Sequence, residues 1–213
     1  EPQRVKEVLL PIFAGEQRDY RPLAPQTELK LSPRQDARET MEVTQGKLSM
    51  GYVTPLTNRT KGFAAMQMLN MVLGGDMTSK LFQNVREKQS LCYSIGSGYY
   101  SAKGIVLVSA GIDFDKDDHV RREVEAQVEA CRRGEITEAE LEGARHALVS
   151  ALAAVPDSPS SMENYDSSMI LGGSGLNVQS HRAALEAVTR EDLAQAAQTL
   201  QLHSTYFLKG VQE

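Results

Sequence analysis

Residues 61–75, KGFAAMQMLNMVLGG, constrain the fold more than any other stretch. They are apolar on nearly every side of a helix and stop at Gly74 and Gly75, a glycine signal for a helix C-terminus. Such a helix has to be covered all round, and 213 residues with 41% hydrophobic content are enough to bury it in a full-sized core.

The neighbouring segments predict what covers it. ETMEVTQGKLSMGYVTPL alternates around Leu48, Met50 and Tyr52 and ends at Pro55, which predicts a strand from about Lys47 to Thr54. A second, shorter helix is expected over 78–88. Strands then follow at Leu91–Tyr100 and Ile105–Ile112, joined by the short turn SAKG as an antiparallel hairpin. Either Leu107→Asp or Val108→Asp is expected to bury an unpaired carboxylate there.

After the hairpin, Val120, Val124, Val128 and Cys131 trace one helical stripe. ITEAELEGARHALVSALAAV opens with Thr137 and Glu140 in capping-box spacing, and Pro156 and Pro159 end it. SSMENYDSSMIL and REDLAQAAQTL predict two more helices with GGSG between them, and STYFLKG a closing strand. The order of elements does not fit a βαβ series. The expected class is α+β: layered, with a mostly antiparallel sheet and helices packed on one face.

Five of the eight prolines fall within the first 33 residues, and RDYRPLAPQTELKLSP has neither period. Residues 1–39 are therefore expected to form a linker or extended arm, with one domain over 40–213. The apolar run VLLPIFA is broken by Pro11 and too short for a membrane span or a signal peptide. The chain opens on Glu1 rather than methionine, so a longer parent is expected. A net charge of −5 with both signs interspersed supports neither a nucleic-acid nor a membrane partner. Cys92 and Cys131 lack CxxC spacing and fit small buried hydrophobes in a reducing compartment, so a cytoplasmic setting is expected.

Much familiar chemistry is missing. Downstream of His119, His146, His181 and His203 the sequence reads HVRRE, HALVS, HRAAL and HSTYF, so neither HExxH nor HxxEH occurs. No metal ligand and no cofactor site is assigned to this chain. GGSGLNV and GSGYYSAKG both miss the glycine spacings that cradle phosphate. Cys92 has no histidine close in sequence, and a buried strand cysteine is usually inert. His146 is expected to be an ordinary packed or rim histidine.

That leaves Arg86 and Tyr93, one ending a helix and the other beginning a strand seven residues on. Arginine offers five donors in a rigid fork and a tyrosine hydroxyl can donate to an oxyanion, so the pair could polarise a peptide carbonyl. Taken as residues alone they also fit a plainer account. SKLFQNVREK carries charge as exposed helices do, and Tyr93 shares its strand face with Leu91 and Ile95, as a core tyrosine would.

The stretch LGGDMTSKLFQNVREKQSLCYS resembles the M16 metallopeptidase superfamily, the pitrilysin, insulinase and mitochondrial-processing-peptidase group, which carries a paired glycine, SKLF, REK and a following LxY in this order. The similarity runs from QGKLSMGY through KGIVLVSAGI to the helix opened by ITEAEL. SLCY with QGKL is closest to the bacterial paired proteins of this superfamily, and to their inactive subunit. The resemblance implies a fold of the M16 peptidase and LuxS-like type. It also implies a carboxy-terminal half whose zinc lies on another half or partner subunit, a dimer, and an extended peptide as substrate. Arg86 and Tyr93 match the family's arginine and tyrosine that contact substrate near the zinc. The isolated chain is expected to be inactive, as part of a metalloendopeptidase. The alternative is a structural assembly subunit with the same fold. Only GGDM stands where processing-peptidase alpha subunits carry a long glycine-rich loop, so presequence recognition is not implied.

Overall fold

The structure, a computed structural model, describes residues 1–14 and 33–211. The expected α+β architecture is present. Strands β1 (Gln35–Met41), β2 (Gly46–Val53), β3 (Ser94–Tyr100), β4 (Ile105–Ile112) and β5 (Gln201–Gly210) form one sheet in the order β1-β5-β2-β4-β3. β5, β2, β4 and β3 pair antiparallel, and β1 adds a parallel edge alongside β5.

Alternation along β2 and β4 decides which face is covered. Leu48, Met50, Tyr52, Val106, Val108, Ala110 and Ile112 are buried in one apolar cluster with residues of the helical layer, whereas Lys47 and Ser109 are exposed on the other face. Val108 lies opposite Met50, deep in the cluster. Leu107, by contrast, is only half-buried, because its side chain projects from the other face. The expectation that Leu107→Asp would bury a carboxylate is therefore corrected.

The helical layer contains α2 (Phe63–Asn70), α3 (Asp117–Arg132), α4 (Glu138–Ala153), α5 (Pro159–Gly172), α6 (Val178–Glu186) and α7 (Arg190–Gln198). In α2, Phe63, Ala64, Ala65, Met66, Met68 and Leu69 are all buried, as an apolar circumference requires. α2 continues through a wider-wound turn, Met71–Gly75, and a second wide-wound helix, Leu81–Glu87, follows. The paired glycine has a steric cause: a Cβ on Gly74 would stand 2.7 Å from the Ser97 backbone nitrogen, so only glycine lets this turn meet β3. The Val120, Val124, Val128 and Cys131 stripe is buried along α3, and the Thr137–Glu140 capping box opens α4.

Three elements differ from the sequence reading. A helix α1 (Pro2–Ala14) runs through Pro11 with no buried residue, within the segment expected as a linker. Of the stretch RDYRPLAPQTELKLSP that carries that expectation, all but Pro33 lies outside the described residues. β1 begins at Gln35, ahead of the expected domain start at 40, and every residue in it is exposed. Polar links take the place of an apolar face. Arg38 pairs with buried Asp117 at 3.0 Å, Tyr206 donates to Glu39 at 2.5 Å, and Thr205 donates to Asp36. Finally, α6 lies between GGSG and REDLAQAAQTL, where the sequence reading placed no element.

The SKLF lysine is a fastening point. Lys80 is buried and its Nζ lies 2.9 Å from Glu140 Oε1, tying the Leu81–Glu87 helix to α4. Burial pushes the Glu140 carboxyl up, but the hydrogen bonds from Lys80 and Thr137 outweigh it and hold the carboxyl below the ordinary glutamate range. A folded-state value below the unfolded one stabilises the fold at neutral pH, and this contribution disappears as the pH falls through the depressed value. Lys80→Met is expected to cost about 3 kcal/mol, since it strands a half-buried carboxylate, and Lys80→Met/Glu140→Gln to recover part of it. Denaturant unfolding at pH 7 measures both; equal midpoints for wild type and Lys80→Met would exclude this role.

Candidate functional site

Arg86 and Tyr93 are brought together by the way the Leu81–Glu87 helix ends. Leu81 and Val85 are buried and set the helix rotation, which leaves Phe82 and Arg86, one turn apart, on the outer side. The Arg86 guanidinium carbon stacks 4.6 Å from the Phe82 ring centroid. The chain then reverses at Ser90, whose φ of +51° places a non-glycine residue in the left-handed region. Ser90 N donates to the Arg86 carbonyl at 2.9 Å, and Leu91 N to the Val85 carbonyl at 3.2 Å, so buried Leu91 returns beneath the helix. Tyr93 joins the sheet one residue ahead of β3, donating its backbone N–H to the Gly111 carbonyl at 2.8 Å.

The geometry at this corner is specific. Arg86 Nε donates to the Tyr93 carbonyl at 2.9 Å, and Nη1 pairs with Glu87 at 3.0 Å. The Tyr93 hydroxyl turns the other way and donates to Asp113 Oδ1 at 2.5 Å. Lys116 Nζ holds Asp113 Oδ2 at 2.8 Å and also donates to the Ser90 carbonyl at 3.3 Å. These groups line an open cavity of about 420 Å³. The core-tyrosine account does not hold, because Tyr93 is 59% exposed.

The electrostatics follow from these contacts. The hydrogen bond to Asp113, reinforced by its charge, holds the Tyr93 phenol above the ordinary tyrosine range. Asp113 is held below the carboxylate range by Lys116 first and Tyr93 second, and Lys116 is raised by Asp113. Neutral tyrosine is a donor, and here the carboxylate already takes its proton bond. To serve a peptide carbonyl the hydroxyl hydrogen has to turn from Asp113 about the Cζ–O bond while the ring keeps its place, whereas Arg86 meets an acceptor without releasing Tyr93.

The other candidates have structural explanations. Burial pushes the Cys92 thiol up to about 11 and the Cys131 thiol up to about 12, so both are protonated at neutral pH and poor nucleophiles. His146 is exposed on α4. His181 is buried: its Nε2 lies 2.6 Å from Gln67 Oε1, its Nδ1 3.1 Å from the Tyr165 hydroxyl, and its ring stacks on Phe63. Since Gln67 Oε1 can only accept, the imidazole proton sits on Nε2, and burial keeps the ring neutral. Among the described residues no group of three or more His, Cys, Asp or Glu side chains could hold a metal ion. No helix of the described residues is long and apolar enough to cross a membrane.

Sequence reasoning missed Asp113, which reaches Tyr93 from just past the end of β4, and Lys116, which holds Asp113. It also missed Phe82, although the four-residue spacing from Arg86 is a legible stacking signal.

The comparisons agree with this architecture. The family profile described as "Peptidase M16 inactive domain" matches residues 1–148, a span that includes Arg86 and Tyr93. The Bacillus subtilis protein named "Probable inactive metalloprotease YmfF" is 31% identical over 183 residues, covering 86% of this chain and 43% of its own length. The chain thus spans less than half the length of that relative. A conserved protein from Enterococcus faecalis V583 shares the fold with a TM-score of 0.79 and 29% identity, over 84% of this chain and 43% of its own. A protease from Helicobacter pylori superposes over 98% of this chain and 52% of its own, with a TM-score of 0.86 and 20% identity. The profile match over more than half the chain, together with the fold it shares with these relatives, shows that this chain belongs to the peptidase M16 family, as one of its inactive domains.

Proposed function

We propose that this domain is the non-metal half of an M16-type zinc peptidase and supplies Arg86 and Tyr93 as contacts to the carbonyl of an extended peptide. The observation that carries this reading is the bond from Arg86 Nε to the carbonyl of Tyr93. It fixes the two residues relative to each other at the rim of one open cavity, with the tyrosine ring exposed to whatever lies opposite. Zinc on the partner half would supply the activated water. The part left to this chain is to bind the peptide, orient its carbonyl, and donate to the oxygen as negative charge develops there.

One feature favours the alternative of a structural body kept for assembly: the Tyr93 hydroxyl already donates to Asp113, as in a closed surface network. Binding separates the two readings. An uncleavable extended peptide, added to the isotope-labelled domain assembled with its zinc-bearing half, is expected to shift the Arg86 Nε–H resonance and the Tyr93 ring signals. Signals that stay in place at saturating peptide would favour the structural body.

A further inference from the structure

We propose that Asp113 and Lys116 are positioning residues that hold Arg86 and Tyr93 in a single mutual geometry; their effect on turnover rests on the peptide-contact reading above. The contacts form a closed ring. Arg86 donates to the Tyr93 carbonyl at 2.9 Å, and the Tyr93 hydroxyl to Asp113 at 2.5 Å. Asp113 accepts from Lys116 at 2.8 Å, Lys116 donates to the Ser90 carbonyl at 3.3 Å, and Ser90 N returns to the Arg86 carbonyl at 2.9 Å. Three separate segments meet in it: the end of the Leu81–Glu87 helix with its left-handed turn, the entrance to β3, and the exit from β4 into α3.

One further observation sets this ring apart from routine surface pairing. Lys116 occupies the N-cap position of α3 and makes no side-chain cap bond there. A cation at a helix N-terminus opposes the macrodipole, and Ser, Thr, Asp or Asn would serve the helix better. The residue is locally wrong for α3 but right for Asp113 and Ser90, and such conflicts mark functional positions. Asp113 and Lys116 are each more than a third exposed, so their pairing adds little to stability. What the ring does secure is orientation: it anchors Tyr93 at both ends, through its carbonyl and its hydroxyl.

The test reads Tyr93 directly. In the whole chain with carbon-13-labelled tyrosine, the Tyr93 signal is identified by its loss in Tyr93→Phe and its phenol titration is followed with pH. The charged groups acting on the phenol are Asp113 and Lys116, with Asp115 near Lys116, while Arg86, paired with Glu87, sits at the Tyr93 carbonyl. Asp113→Asn keeps the shape and the acceptor but removes the charge, and is expected to move the titration to lower pH. Lys116→Met removes a cation and is expected to move it to higher pH, with thermal midpoints unchanged in both. In the assembled zinc-bearing protein, Asp113→Ala is expected to lower kcat by about tenfold to a hundredfold with little change in KM, the scale of a small misplacement of reacting groups. Asp113→Ala/Tyr93→Phe should be no slower than Tyr93→Phe, since both remove one function. A Tyr93 titration unmoved by Asp113→Asn, or additive losses in the double variant, would overturn the proposal. Titrations that shift as expected while Tyr93→Phe keeps full turnover would support the positioning ring and refute the peptide-contact role.

Discussion

Arg86→Ala or Tyr93→Phe, made in the full protein and assayed with its zinc-bearing half on an unstructured peptide, is expected to lower turnover by roughly 10² to 10³. That is the typical cost of losing one preorganised oxyanion donor. The reasoning starts from exposure. Tyr93 is 59% exposed and Arg86 lies on the outer side of its helix, so neither loss opens a cavity and both variants should assemble and melt like wild type. Arg86→Lys should rescue only in part. The guanidinium stacks on Phe82, donates through Nε to Tyr93 and through Nη1 to Glu87, and a single ammonium cannot reproduce that fork. If the loss falls on kcat/KM with KM little changed, the contacts form in the transition state; a rise in KM alone would make them uniform binding contacts. Wild-type cleavage by both variants would reduce the pair to surface residues and leave the domain as an assembly body.

Val108→Asp is expected to abolish folding, while Leu107→Asp one residue away folds. Val108 is 1% exposed and its register neighbours are Met50 on β2 and Ser97 on β3. Removing its side chain from the cluster costs about 1.5–3 kcal/mol in burial alone. A carboxylate with no partner adds several more, or forces its own protonation. The sum is comparable with the roughly 5–15 kcal/mol that stabilises a whole domain. Leu107 alternates onto the opposite face, where Ser109 beside it is already exposed, so a carboxylate there keeps its water. Circular dichroism melts of the two variants settle the matter. A cooperative transition near the wild-type midpoint for Val108→Asp would mean that the β4 register is wrong.

Features governed by local periodicity and local hydrogen bonding were legible in the sequence. The α3 stripe of Val120, Val124, Val128 and Cys131 returns every three or four residues, which is sufficient to define a buried face without knowing what covers it. The Thr137 cap closes within three residues, and the β3–β4 hairpin within four. Local spacing, seven residues across one helix end, was enough to expect Arg86 and Tyr93 near one another, but their reading as a site came from the family resemblance, since the residues alone fitted a plainer account as well. The tertiary structure decided what depends on distant partners. In α6 the inward positions are His181 and Leu185, and a polar residue in the stripe hides the period, because its burial is made tolerable by Gln67 and Tyr165 from other helices. β1 has no apolar alternation to detect; it is a strand because β5 lies beside it and because Asp117, Thr205 and Tyr206 answer its charges. Asp113 and Lys116 likewise gain their place only when the sheet brings the exit of β4 to the entrance of β3, for a hydrogen bond needs two atoms within about 3 Å, and separation along the chain says nothing about that distance.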